Sequence, residues 1–360
     1  MERQKKKTPI EKKHSTENKK SVKKKSSLFT KLRHRADNFL QRRPHRSFRL
    51  TQRRDYKRTL ALQGYWSFTG SVVRLLRQNK HLFISFGLLY MVISVLVLGL
   101  ASQESFTALQ DSIAEAGKEL YAGNWSAFGT AAALAISTMA GKVSPNLTDA
   151  QQIYAVILGL MAWLITIWLL RQRMAGHAVR LRDGLYSAGS PIVATVAVSL
   201  VMVLQMIPVL LAVVGFTAAR NTGLLDGGIE AMLFWAVAGG LGVLSAYWGI
   251  ASIVAMVIVT LPGMYPMRAL QIAGDLVIGR RLRIILRLLW MGALLALFWA
   301  VVLIPIILLD TWIKELLPMI EWLPVVPVTA VGLSTISLIW TSSYIYVLYR
   351  GLVDDDARPA

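Results

Sequence analysis

The sequence predicts an all-α integral membrane protein. Its six transmembrane helices come as three repeats of a basic interfacial helix plus a helical hairpin, behind a disordered basic N-terminal tail. Three observations predict this. Six apolar runs approach or exceed the length needed to cross a hydrocarbon core of about 30 Å at about 1.5 Å per residue. Basic amphipathic stretches lead into the first, third and fifth of them. Charge is also segregated: residues 1–80 hold 25 Lys/Arg against 5 Asp/Glu, and residues 81–360 hold 15 of each, so the formal net charge of +20 lies in the first eighty residues.

Composition sets further bounds. With 54% hydrophobic residues and a mean hydropathy of +0.49, the chain is too apolar for an ordinary soluble protein. It has no cysteine, which excludes disulfides, thiolate metal sites and cysteine nucleophiles. About eighty mostly polar residues precede the first apolar run, so that run is expected to act as an internal signal-anchor.

Residues 1–63 are read as a basic, mostly disordered cytoplasmic tail. Residues 1–27 offer almost nothing to bury against the cost of ordering them. Leu28, Leu32, Ala36 and Leu40 share one helical face, which suits either a short helix on a membrane surface or stray hydrophobes in a disordered chain. Residues 42–58 are Arg-rich, and Pro44 argues against a continuous helix there.

Residues 64–350 are read as the six-span domain. Tyr65, Trp66 and Phe68 are interface-type aromatics, and Arg74, Arg77 and Lys80 flank an apolar stripe ahead of a span at 82–100. An outer helical insert follows at 101–150, where Phe106, Leu109, Ile113, Ala116 and Leu120 recur at helical spacing. Within it, 125–140 is either surface-lying or re-entrant. The second span, at 151–170, leads to a basic linker at 171–189, and the third is drawn at 191–216. The fourth, at 231–261, is long enough to tilt or bend near Gly239, Gly240 and Gly242, which are read as a close helix crossing. After Pro262-Gly263 and a third basic helix comes the fifth span at 284–309. An outer loop at 310–325 carries Trp312 and Trp322 as anchors, the sixth span runs over 327–348, and residues 351–360 form a short acidic tail.

The inner linkers of this scheme carry nine arginines, and the outer loops carry four basic residues among ten acids. The positive-inside rule therefore puts both termini in the cytoplasm.

The segments SVVRLLRQNKHLF before the first span and MRALQIAGDLVIGRRLRIILRLL before the fifth resemble the membrane-domain family attached to some bacterial glycerophosphoryl diester phosphodiesterases. Related stand-alone bacterial membrane proteins share the pattern. Ala269-Leu270, Leu276-Val277 and Gly279-Arg280 match the family's second helix, and Gly274 stands where a serine or another small residue is common. The resemblance covers residues 64–350 and implies a six-span fold in a bacterial cytoplasmic membrane. It brings no catalytic residues, because the phosphodiesterase chemistry belongs to a separate barrel domain that has no counterpart in this sequence.

Material for catalysis is poor. The five histidines are scattered without metal-ligand spacing, and none of the spans as drawn contains Asp or Glu. No catalytic, cofactor or metal residues are assigned, and the chain is not expected to be an enzyme. Arg74, Arg77, Lys80, Arg180, Arg182, Arg280, Arg281 and Arg283 are the candidate contacts to lipid headgroups. Gln205, with Thr341, Ser342 and Tyr344 in the hydroxyl-rich last span, is the candidate intramembrane polar site, weighed against simple helix packing. Anionic phospholipids are the expected partners, followed by another membrane protein. The tail's charge also suits nonspecific contact with nucleic acid or ribosomes. The reading that follows is a membrane-organising or accessory protein; a transporter or lipid-handling permease with a cavity between the units is the alternative.

Overall fold

The computed structural model describes residues 63–98, 148–224, 227–317, 319 and 323–357. The basic tail up to residue 62, Trp322 and the insert through residue 147 lie outside the described residues. All regular structure among the described residues is helical.

Helix α1 (Tyr65–Gln78) buries Phe68 and Val72 on one face and carries its basic residues elsewhere. It ends at Asn79, whose side-chain amide donates to the Leu75 carbonyl at 3.0 Å, and α2 (Lys80–Leu98) starts directly after. Thr148 and Gln151 form a capping box that starts α3 (Asp149–Met174), and Gly176, with φ +84°, turns the chain beyond its end. The seven-residue α4 (Leu181–Ser187) starts where Asp183 accepts from the Arg180 N–H at 3.0 Å. It is bent by 71° from α5 (Ile192–Gln205). Then come α6 (Ile207–Asn221), α7 (Gly228–Ile258), α8 (Pro266–Val277), α9 (Arg281–Leu316) and α10 (Val325–Ala357).

Five of these, α2, α3, α7, α9 and α10, are long and apolar enough to cross a membrane; counting the bent α4–α5 pair makes six. Several boundaries differ from the sequence reading. The run at 191–216 is interrupted at Met206, because Pro208 has no N–H for the ladder and the Val209 N–H turns to Ser245 Oγ on α7 at 3.3 Å. Helix α9 does not stop at 309. It continues through Asp310, which pairs with Lys314 one turn on at 2.8 Å, and reaches about 54 Å over its 36 residues. Residues 351–357 are the last turns of α10, not a tail.

Helix α10 lies at the centre, packed against α1, α2, α3, α7, α8 and α9. Its side chains allow this. The hydroxyls of Ser334, Thr335, Ser337, Ser342 and Ser343 each donate to a carbonyl three or four residues back, so at these positions the helix presents small side chains with their polar groups already satisfied. Tyr344, Leu348 and Leu352 join Val254, Ile258, Ala269 and Val277 in one core cluster; Ile345 and Tyr346 join Phe83, Phe86 and Leu164–Leu170 side chains in another. By contrast α9 is the least buried of the long helices and exposes Leu289, Leu297, Val301, Ile304 and Leu308.

One end of the bundle collects the junctions. Arg171 donates to the Thr260 carbonyl at 2.8 Å, tying the end of α3 to the end of α7. Leu82 and Phe83, just past the α1–α2 junction, pack with Leu169 and Leu170, and Arg280 before α9 meets Asp355 near the end of α10. The close helix approaches are not at the Gly239-Gly240-x-Gly242 stripe. A Cβ at any of those three glycines would have no neighbour within 4 Å, whereas one at Gly184 would stand 2.9 Å from Leu169 Cδ2.

Gly184→Ala should therefore lower stability by about 1–3 kcal/mol through overpacking. Gly240→Ala should be neutral or gain up to about 1 kcal/mol of helix propensity. Thermal unfolding in detergent micelles checks the pair, and equal losses at both positions would contradict the packing described.

Candidate functional site

The eight basic headgroup candidates divide in the structure. Arg74, Arg77, Lys80, Arg180, Arg182 and Arg283 are exposed, all at or beside the α1–α2, α4–α5 and α8–α9 junctions. Arg281 is half-buried, with its guanidinium 3.5 Å from the centroid of the Tyr247 ring and a hydrogen bond to the Tyr247 carbonyl. Arg280 is no headgroup contact. It is only 2% exposed, its Nη2 lies 2.8 Å from Asp355 Oδ2, and its Nη1 donates to the Leu352 carbonyl at 3.4 Å. It is buried because α10 extends past residue 350 and brings the Asp355 carboxylate to it.

The polar candidates are not brought together. Gln205, at the end of α5, accepts from Ser252 Oγ of α7 at 2.6 Å. Ser342 bonds back to the Leu338 carbonyl at 2.7 Å, Thr341 is half-buried on the same helix, and Tyr344 is fully buried with its hydroxyl donating to the Arg287 carbonyl at 3.4 Å. Gln205 thus bonds to α7 while Tyr344 bonds to α9. Among the described residues no three His, Asp or Glu side chains gather as metal ligands.

Arg287, one of the nine arginines counted in the inner linkers, is buried in the structure. It lies 7% exposed on α9, with its guanidinium 4.9 Å from the Phe68 ring centroid and 5.1 Å from that of Tyr65. Its Nη2 donates to the Gln63 carbonyl ahead of α1. Nearby, Trp290 donates to Thr69 Oγ1 at 3.3 Å and meets Trp66 edge-on at 4.9 Å. Aromatic faces thus stand in for part of the water this cation has lost, and they anchor α1 on α9 and α10. The available signal was its position: residue 287 falls inside the span drawn at 284–309.

Hollows border these elements. One of about 560 Å³ runs between α1, α2 and α10; its walls are almost wholly apolar, and Arg77 and Lys80 stand at one end. A hollow of about 310 Å³ between α1, α9 and α10 shares Val73, Ile336 and Trp340 with it. A more polar cavity of about 550 Å³ lies where α3 ends, between the α4–α5 turn and the α7–α8 loop, lined in part by Arg171, Ser187, Ser190 and Thr260.

No family model matches the chain, and neither a curated protein nor a solved structure is found to match it.

Breaking the buried pair should be costly, since Asp355→Asn removes the carboxylate that lies 2.8 Å from the buried Arg280 guanidinium. We expect a loss of about 3–5 kcal/mol in equilibrium unfolding in detergent. An Arg280→Met/Asp355→Leu double variant should recover most of it. Wild-type stability for Asp355→Asn would contradict the pairing.

Proposed function

We propose that this chain is a non-enzymatic membrane-organising or accessory component of a bacterial cytoplasmic membrane, with both termini cytoplasmic. In this reading α5, bent away from α4, is continued by α6 as the third of six spans. Each of α1, α4 and α8 is then the interfacial helix of one repeat, the architecture implied by the resemblance to the phosphodiesterase-associated membrane domains. The basic N-terminal tail and the exposed arginines hold anionic phospholipid against one face of the bilayer.

The observation that carries the reading is the placement of the exposed basic residues. Arg74, Arg77, Lys80, Arg180, Arg182 and Arg283 lie at the end of the bundle where all three short-to-long helix junctions collect. Each such residue near an anionic leaflet is worth about 1 kcal/mol. The apolar faces of α9, α6 and the first half of α7, which are exposed, suit lipid tails or a second membrane protein. Contact of the tail with nucleic acid or ribosomes is the lesser possibility, a matter of charge alone.

A permease is the second reading, and the polar cavity beside Arg171 is what favours it. Transport would need that cavity to communicate with the level of Gln205 or Thr341. Against it, Gln205 is engaged by Ser252, and the hydroxyls of Ser342 and Ser343 on α10 are back-bonded.

The accessory reading is tested by thermal unfolding in nanodiscs. Replacing phosphatidylcholine in part with phosphatidylglycerol should raise Tm by several degrees, and 1 M salt should remove most of the gain. An unchanged Tm would contradict it. Cysteines at Gln205 and Thr341 should stay unlabelled by a polar thiol reagent; labelling at either would support the permease.

A further inference from the structure

We infer that the groove between α1, α2 and α10 seats an acyl chain of one anionic phospholipid, with its headgroup held by Arg77 and Lys80. The inference rests on the anionic-lipid reading above and gives it a specific site.

Two glycines contribute to the hollow. Gly87 on α2 and Gly332 on α10 both line it, and a Cβ on Gly87 would lie 3.5 Å from Ile339 and 3.6 Å from Thr335, so the floor is helix against helix. Along α2 the groove runs from Lys80 to Met91, about 16 Å by helix rise, which matches much of an extended acyl chain in one leaflet. Ile84 and Leu88 on its wall are more than half exposed, so a lipid can enter sideways from the bilayer. Past the shared Val73, Ile336 and Trp340, the smaller hollow offers a place for the second chain.

Charge and chemistry select this occupant. Arg77 and Lys80 are exposed at the end of the groove that lies with the helix junctions, and neither forms an ion pair with a described residue. Their apolar stems line the groove while their charged ends can reach a phosphate at headgroup level. The chain's own N-terminal residues carry the same sign of charge and would be repelled. An extended peptide would also find almost no partner for its backbone along apolar walls, whereas an alkyl chain needs none.

Native mass spectrometry of the full-length protein, released from detergent and titrated with palmitoyl-oleoyl phosphatidylglycerol or phosphatidylcholine, tests this. The first phosphatidylglycerol should bind about thirtyfold more tightly than phosphatidylcholine, the ratio two basic contacts supply. Arg77→Gln/Lys80→Gln should bring the two lipids near parity. Ile84→Trp, at an exposed position on the wall, should fill the groove and weaken both lipids. Arg74→Gln/Arg283→Gln should lower the preference only in part and leave phosphatidylglycerol the tighter ligand, because charges away from the headgroup seat contribute through a screened surface field. If that pair loses the preference as fully as Arg77→Gln/Lys80→Gln, lipid is held by a diffuse surface: the groove inference fails and the anionic-lipid reading stands. Unchanged binding by Ile84→Trp also overturns the groove. No headgroup preference in the wild type overturns both.

Discussion

A helix at the centre of a membrane bundle has to be narrow, and it has to bring no polar group that its neighbours must satisfy. Over residues 334–343 helix α10 meets both demands through serine and threonine hydroxyls folded back onto its own carbonyls. Six other helices pack around it. Where a polar atom is offered to a neighbour, the contact is specific: Ser337 Oγ accepts from Trp299 Nε1 of α9 at 2.7 Å. The peripheral position of α9, the seating of α1 and the hollows between them are arranged around that central helix.

At the junction end, Arg280 and Asp355 form a buried ionic contact, and Arg287 is buried a little further along α9 among the rings of Tyr65 and Phe68. A buried ion pair adds little net stability over apolar packing, but losing one partner is expensive, so such a pair fixes which helix meets which. Around these inward-held cations stand exposed ones. The same residue type thus divides between fixing the bundle and facing outward, and burial decides which.

The helical class and the positions of the long apolar helices were legible in the sequence because hydropathy over about twenty residues is a strong signal. The basic helices before α2 and α9 were legible from periodicity, as α1 and α8 show. Helix ends were less so. The sequence shows acids at 310 and 354–356 as span-breaking charge, and only the fold shows that Lys314 and Arg280 neutralise two of them. The interruption at Met206 was half visible in Pro208; its other half, the turn of the Val209 N–H to Ser245, is a tertiary contact. The glycine stripe misled because helical spacing cannot say whether a neighbour is there. Gly239, Gly240 and Gly242 face open space, while the close contact falls at Gly184. The groove was illegible for a related reason, since it is made by side chains that are missing on two helices far apart in the chain.

Arg74, Arg77, Lys80, Arg180, Arg182 and Arg283 gather at one end of the bundle, and we propose that this end faces the cytoplasm. The chain lacks cysteine, so single cysteines can report it directly. Ser187, exposed at the end of α4, and Thr222, exposed just past α6, lie toward opposite ends of the α5–α6 segment. In intact cells a membrane-impermeant thiol reagent should label Thr222→Cys and spare Ser187→Cys until the membrane is permeabilised. Labelling of Ser187→Cys in intact cells, with Thr222→Cys protected, would put the basic end outside and contradict the account.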